Sequence, residues 1–217
     1  MDFRIGSMMK RITTNEKEMD RLPLRERNKR RVTQRIVSAA SELFKACGYH
    51  PTTMDDIAEK AEISRATLFN YFSSKEALLL PWGQEIMEQQ ILPSLGKYMD
   101  TQPTVWQVFH FLFTKMNGTL QEYPDVIQAF VQEAAKDFHP GSTVSERIGP
   151  QEVHTQVIRY GQERGEIRTD LPIENLVSYL SALQMTPTFR IMDPTVVQNP
   201  SLEIDRLLAF LEKGLTR

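Results

Sequence analysis

Residues Thr53 to Phe72, TMDDIAEKAEISRATLFNYF, constrain the fold more tightly than any other stretch of the 217-residue chain. Thr53 is a helix-capping residue, and Asp56 three positions on completes the spacing of a capping box. Ile57, Ala58 and Ala61 then share one face, while Asp55, Asp56, Glu59 and Lys60 face water. Ala58 is the informative member, because two helices that cross steeply need a small side chain where they touch. Ile63 falls in the turn, where it can plug the gap between the helices. Ser64 is a good N-cap for a second helix, which sets Leu68 and Phe72 on its buried side at i, i+4. The pattern predicts two short amphipathic helices around a tight turn.

Arg65, Ala66, Thr67, Asn70 and Tyr71 remain on the outer face of the second helix. These are residue types that read DNA: arginine presents a fork to guanine, asparagine pairs with adenine, and threonine and alanine pack on a thymine methyl. Tyr71 and Lys75 suit phosphate oxygens, which position a helix without encoding sequence. A surface hairpin with a merely solvated polar face shows the same bare pattern, so the flanks decide. Upstream, Val32 to Gly48 carries Ile36, Val37, Ala40, Leu43 and Phe44 at helical spacing and ends on a C-capping glycine. That helix can cover the back of the hairpin. Downstream, Ser73 with Glu76 three residues later opens another helix as a capping box.

The run from Arg30 to Leu79, including GYHPTTMDDIAEKAEISRATLFNYFSSKEALL, closely resembles the DNA-binding domain of the TetR family of bacterial transcriptional regulators. The resemblance covers about fifty residues. It implies an all-α homodimer, with a three-helix DNA-binding domain containing the helix-turn-helix and a larger helical domain for ligand binding and dimerisation. Thr53, Ser64, Arg65, Thr67, Tyr71 and Lys75 fall on positions that commonly touch DNA in that family. Two departures stand out. The family usually has glycine in the turn where this chain has Glu62, so that residue takes a positive φ or the turn adjusts. Phe69 stands where the family often has tyrosine, which removes one hydroxyl from the recognition helix.

Charge distribution supports the same division. Residues 1–80 hold 15 Lys+Arg against 11 Asp+Glu, and the remainder holds 11 against 17. A basic head on an acidic body suits binding to a polyanion through one end. The expected organisation is a flexible arm over 1–27, the DNA-binding domain over 28–74, and an effector-binding and dimerisation domain over 75–217. Within Arg25–Arg31 the basic residues Lys29 to Arg31 either reach the duplex or are solvated. Cys47, the one cysteine, excludes an internal disulfide, agrees with a reducing cytoplasm, and is expected as a small buried residue. No run approaches the length of a membrane span, and no signal-peptide core is expected.

From Lys75 onward the chain reads as helix. Pro81 predicts a kink or a restart in the fourth helix, and an effector is expected to act by shifting that helix. Thr104 to Glu122 is apolar nearly all round, which predicts a central buried helix. Pro124 opens the next helix with Val126, Ile127, Phe130, Val131 and Ala134 on one face, and Phe138 to Pro150 reads as a long loop. Trp82, Trp106, Phe109, His110, Phe113, Met116, Phe130 and Met185 either line a cavity for a small hydrophobic or aromatic effector or simply pack. Leu176, Leu180 and Leu183 lie on one late stripe, and Ile204, Leu207, Leu208 and Leu211 on another. The stripes alone fit core as well as interface; the resemblance assigns them to the dimer. No catalytic constellation, metal-ligand spacing or cofactor motif is present, and His139 and His154 read as loop or surface histidines. The expected function is a repressor on a roughly palindromic double-stranded operator. A DNA-binding interaction protein without an effector is the alternative.

Overall fold

The computed structural model describes residues 23–136, 151–191 and 199–216, and every regular element among them is helical. The described residues divide into two compact units, 23–90 with 122–136, and 91–121 with 151–191 and 199–216. Of the arm expected over 1–27, residues 1–22 lie outside the described residues, as do the expected loop over 138–150 and His139, whereas Leu24 to Arg27 are helical.

The first unit begins with α1 (Leu24–Cys47), followed by α2 (Met54–Lys60) and α3 (Arg65–Tyr71). α1 starts eight residues before the expected Val32. Pro23 sets its start, and the charged residues after it are strong helix formers that need no apolar periodicity to remain helical. Ile36, Val37, Ala39, Ala40 and Phe44 form its buried face. Gly48 ends it at φ +89°, a conformation that favours glycine, and a Cβ there would sit 3.0 Å from the Asp125 carboxylate. Cys47 is exposed rather than buried, because it follows the last inward position of the helix.

A 3₁₀ turn (Glu76–Leu78) leads into α4 (Leu79–Ile86). Ser74, rather than Ser73, makes the cap contact here, accepting from the Ala77 amide at 3.4 Å. Pro81 falls just after the 3₁₀ turn, where the helix restarts as α4. It lies in the first turn of α4, where amides have no intrahelical partner to lose. A second irregularity comes later, as a π turn (Met87–Ile91) before α5 (Leu92–Met99). Pro93 explains the position: inside a continuous α-helix it would leave the Gln89 carbonyl without a donor, and a wider turn relieves the clash. The boundary between the two units falls within this turn.

α7 (Pro124–Lys136) packs against α4 within the first unit. Trp82 of α4 is buried edge-on to Tyr123, with ring centroids 5.3 Å apart. Buried Glu85 ties α4 to α1: its Oε1 accepts from Gln34 at 3.0 Å, Ser38 at 2.5 Å and Gln89 at 2.8 Å.

The second unit contains α5, most of α6 (Val105–Glu122), α8 (Gln151–Glu163), α9 (Ile173–Ile191) and α10 (Pro200–Leu215). α6 buries Val105, Val108, Phe109, Leu112 and Phe113 but exposes His110, Thr114 and Lys115. It is therefore two-faced rather than buried all round. α9 packs on both α8 and α10. The Arg168 amide donates to the Leu215 carbonyl at 2.8 Å and fastens the end of α10.

Candidate nucleic-acid interface

The capping box of α2 forms in full. The Thr53 amide donates to Asp56 at 2.8 Å, and the Asp56 amide donates back to the Thr53 hydroxyl at 3.2 Å. Hydrogen bonds from the Thr53 hydroxyl and then its amide hold the Asp56 carboxyl below its usual range. Ala58 is buried, and its carbonyl accepts from the Ile63 amide at 3.0 Å, closing the turn. Glu62 takes φ +53°, so the turn keeps the left-handed conformation although the residue is not glycine. Ser64 caps α3 by accepting from the Thr67 amide at 3.0 Å, and Leu68 is its buried anchor. A salt bridge of 2.7 Å between Lys60 and Glu42 joins α2 to α1.

The polar side of α3 faces outward. Arg65, Ala66 and Asn70 are exposed, and Thr67 and Tyr71 are half-buried. Arg65 Nη1 donates to Asp55 at 2.8 Å, and its guanidinium lies 5.5 Å from the centre of the exposed Phe69 ring. This holds the arginine beside the helix start with other donors available. Asn70 and Tyr71 line an open groove together with Leu24, Arg25, Asn28 and Lys29 of α1. The spacing 25, 28, 29 on one helical stripe was the available signal for the α1 side, but it has meaning only once α1 is known to begin at Leu24.

Lys75 takes a different place from the one expected. Its ammonium donates to the carbonyls of Tyr49 at 2.7 Å, His50 at 3.2 Å and Thr52 at 2.8 Å, and sits 4.3 Å from the Tyr49 ring centre. An ammonium has three donors, so this set is engaged by the protein's own loop, and burial lowers the Lys75 pKa. The lysine ties the segment after α3 to the loop before α2.

Residues 36–80 match the family described as bacterial regulatory proteins, tetR family. The chain carries a TetR-family DNA-binding domain. Its curated relatives include the HTH-type transcriptional regulator TcmR of Streptomyces glaucescens, 44% identical over 57 residues, covering 26% of this chain and 25% of the relative. RutR of Escherichia coli K12 is 31% identical over 98 residues, covering 45% of each chain. The chain thus matches well under two thirds of the length of either relative. Among solved structures, the TetR-family repressor FadR of Thermus thermophilus, in complex with lauroyl-CoA, shares the fold with a TM-score of 0.68. It is 24% identical, and the match covers 84% of this chain and 94% of that one.

Outside the TetR-family domain, the expected effector residues are dispersed. Trp82 and Phe130 belong to the first unit, whereas Trp106, Phe109, His110, Phe113 and Met116 belong to the second. The side chain of Met185 lies outside the described residues. Phe109 and Phe113 are buried with ring centroids 6.0 Å apart, Trp106 is half-buried beside Phe109, and Met116 Sδ accepts from Gln184 at 2.9 Å. His110 is a surface residue, 3.2 Å from exposed Asp205, because it sits on the outward face of α6. His154, expected at the surface, is fully buried with its Nδ1 3.0 Å from the Ser181 hydroxyl; burial pushes its pKa down to about 4. No group of three or more His, Cys, Asp and Glu that could hold a metal occurs among the described residues. Nor is any helix among them long and apolar enough to cross a membrane.

The expected dimer stripes lie mainly inside the protomer. Leu176, Leu180, Ile204, Leu208 and Leu211 are buried within the single chain, and Leu183 and Leu207 are half-buried. α9 packs on α10, and much of both stripes is buried in the single chain. Tyr179, Leu202 and Phe210 instead expose 56%, 43% and 64% of their surface on the outward sides of the same helices.

Proposed function

We propose that this protein is a homodimeric, sequence-specific repressor that leaves its operator when a small apolar effector binds the C-terminal unit. The observation that carries the DNA-binding half is the capped α3, whose outer side presents Arg65, Ala66, Thr67 and Asn70 without burying them. Thr53 and Ser64 set the two helix starts, and Tyr71 lies at the end of the same helix. In a dimer, two such helices enter successive major grooves ~34–36 Å apart on a roughly palindromic site. The outward apolar side of α9 and α10, with Tyr179 and Phe210, is the surface on which a second copy would pair.

The fold likeness to a repressor that binds lauroyl-CoA favours an effector with a long apolar part. Buried Phe109 and Phe113, with Trp106 and Met116, supply apolar side chains within the second unit suited to such a guest. The readout runs through α4, because Glu85 hydrogen-bonds that helix to α1 of the head. The effector must bind the released state more tightly, since only differential affinity shifts the equilibrium. The test uses a duplex selected by the full chain from a random-sequence pool, with lauroyl-CoA and 1-dodecanol as probes. Loss of duplex binding on titration with either supports release. Tight binding of a probe with unchanged duplex affinity contradicts it.

A further inference from the structure

The second unit buries a set of polar side chains on α6, α8 and α9. Asn117 of α6, His154 of α8, and Ser181 and Gln184 of α9 each expose 9% or less of their surface. Contacts link them. His154 Nδ1 lies 3.0 Å from the Ser181 hydroxyl, and Gln184 Nε2 donates to the sulfur of Met116, the chain neighbour of Asn117, at 2.9 Å. Gln184 lies close enough to the imidazole to oppose the fall in its pKa, without reaching hydrogen-bond length to Nε2. Two buried atoms of this set, His154 Nε2 and Asn117 Oδ1, lack a hydrogen-bond partner. Such an atom away from water carries a desolvation cost that no contact offsets. The thioether that receives the Gln184 amide is itself a weak acceptor.

We propose that this set holds the hydroxyl-bearing end of an uncharged effector whose apolar part lies along Phe109 and Phe113. Phe109, Phe113 and Asn117 follow one another at i, i+4 spacing on the inner face of α6, so the apolar stripe ends on an amide. Asn117 Oδ1 only accepts, which calls for a donor; a carbonyl or an ether cannot fill that place. His154 Nε2 donates or accepts according to the direction of the bond with Ser181, and a hydroxyl suits either case. A carboxylate does not fit. Asn117, Ser181, Gln184 and Met116 bring no cation, and burial pushes the imidazole pKa down to about 4, which leaves the ring neutral at neutral pH. A carboxylate here would be a buried charge without a partner.

This inference rests on the effector reading above and names its polar chemistry, and the two can fail separately. Calorimetry on the full chain at neutral pH compares 1-dodecanol with laurate, while fluorescence anisotropy follows release of the selected duplex. 1-Dodecanol is expected to bind roughly ten-fold or more tightly than laurate. Asn117→Leu is expected to weaken 1-dodecanol about five- to ten-fold, the loss of one hydrogen bond to a buried group. Its ligand-free melting temperature is expected to stay level or rise, because a buried acceptor without a partner has been removed. His154→Phe is expected to weaken 1-dodecanol by a similar factor. Unchanged affinity in either folded variant, or a lowered melting temperature for Asn117→Leu, overturns the assignment. Laurate binding as tightly as 1-dodecanol overturns the uncharged class, and absence of 1-dodecanol binding overturns the site. If 1-dodecanol binds through Asn117 and His154 but leaves the duplex bound, the release reading fails and the site stands. If it releases the duplex from Asn117→Leu at the same concentration as from the unaltered chain, the site fails and the release reading stands.

Discussion

The helix-turn-helix of residues 53–72 and the paired helices α9 and α10 carry apolar patterns of comparable regularity, yet they translate into surfaces differently. In the hairpin, the inward and outward sides predicted from spacing are the sides found: Ile57, Ala58 and Leu68 are buried, and Arg65 and Asn70 are exposed. In α9 and α10, the leucine stripes are mostly buried in the protomer, with Leu183 and Leu207 half-buried, and the large exposed apolar side chains are Tyr179, Leu202 and Phe210 off those stripes. A hairpin of two short helices has one inside. A helix in a larger unit can bury one face against its own chain and offer another to a partner, so a strong stripe reports the first burial only.

The sharpest way to break this comparison is a pair of acidic substitutions two residues apart on α10. Leu208→Asp, in the protomer core, is expected to destabilise the chain by about 3 kcal/mol or more, seen as a collapse of the thermal transition. Phe210→Asp is expected to leave a monomer's melting unchanged while sedimentation shows the dimer lost. A folded dimeric Phe210→Asp variant would remove the outward face from the account of assembly.

His154 provides the next largest effect and applies to the second unit alone. Its folded pKa of about 4 lies below the ordinary 6.5, so the unfolded chain binds the proton more readily. Stability from this residue is present above about pH 6.5 and is lost as pH falls toward 4, in total roughly 3 kcal/mol. Denaturant melts between pH 7 and 4 should therefore slope downward, and His154→Gln should flatten that slope. Equal slopes would mean that the imidazole is not shielded as described.

Lys75 sharpens the contrast from the head's side. Lys75→Ala is expected to cost about 2 kcal/mol by leaving three loop carbonyls without their charged donor. Its salt slope on the selected duplex should stay that of the unaltered chain, because the three donors of the ammonium are engaged by loop carbonyls. A flattened slope with unchanged melting would restore Lys75 to the interface.

The legible parts share one physical property: their determinants are local. Thr53 with Asp56, Ser64 with Thr67, and the positive φ at Glu62 act over three or four residues, and each is recoverable from spacing and residue type. The early start of α1 was hidden because helix propensity in a charged run leaves no apolar period. That concealed the groove shared by Arg25, Lys29 and Asn70. The role of Lys75 was hidden for another reason, since its acceptors lie 23 to 26 residues away in sequence. Pro81 drew attention as a bend, while the π turn before Pro93 depended on a proline being inside a helix rather than at its start. The aromatic set could be recognised as apolar, but not divided between units, because division follows tertiary contact rather than period.

The central claim is that the exposed start of α3 reads base edges, and Arg65 tests it most directly. Arg65→Ala should keep the helical spectrum and melting of the parent, since the residue is exposed and its pair with Asp55 is at the surface. On the selected duplex, affinity is expected to fall about ten- to hundred-fold, the loss of one bidentate base contact, with relaxed preference at a single guanine position. Unchanged affinity and unchanged base preference in the folded variant would contradict the account.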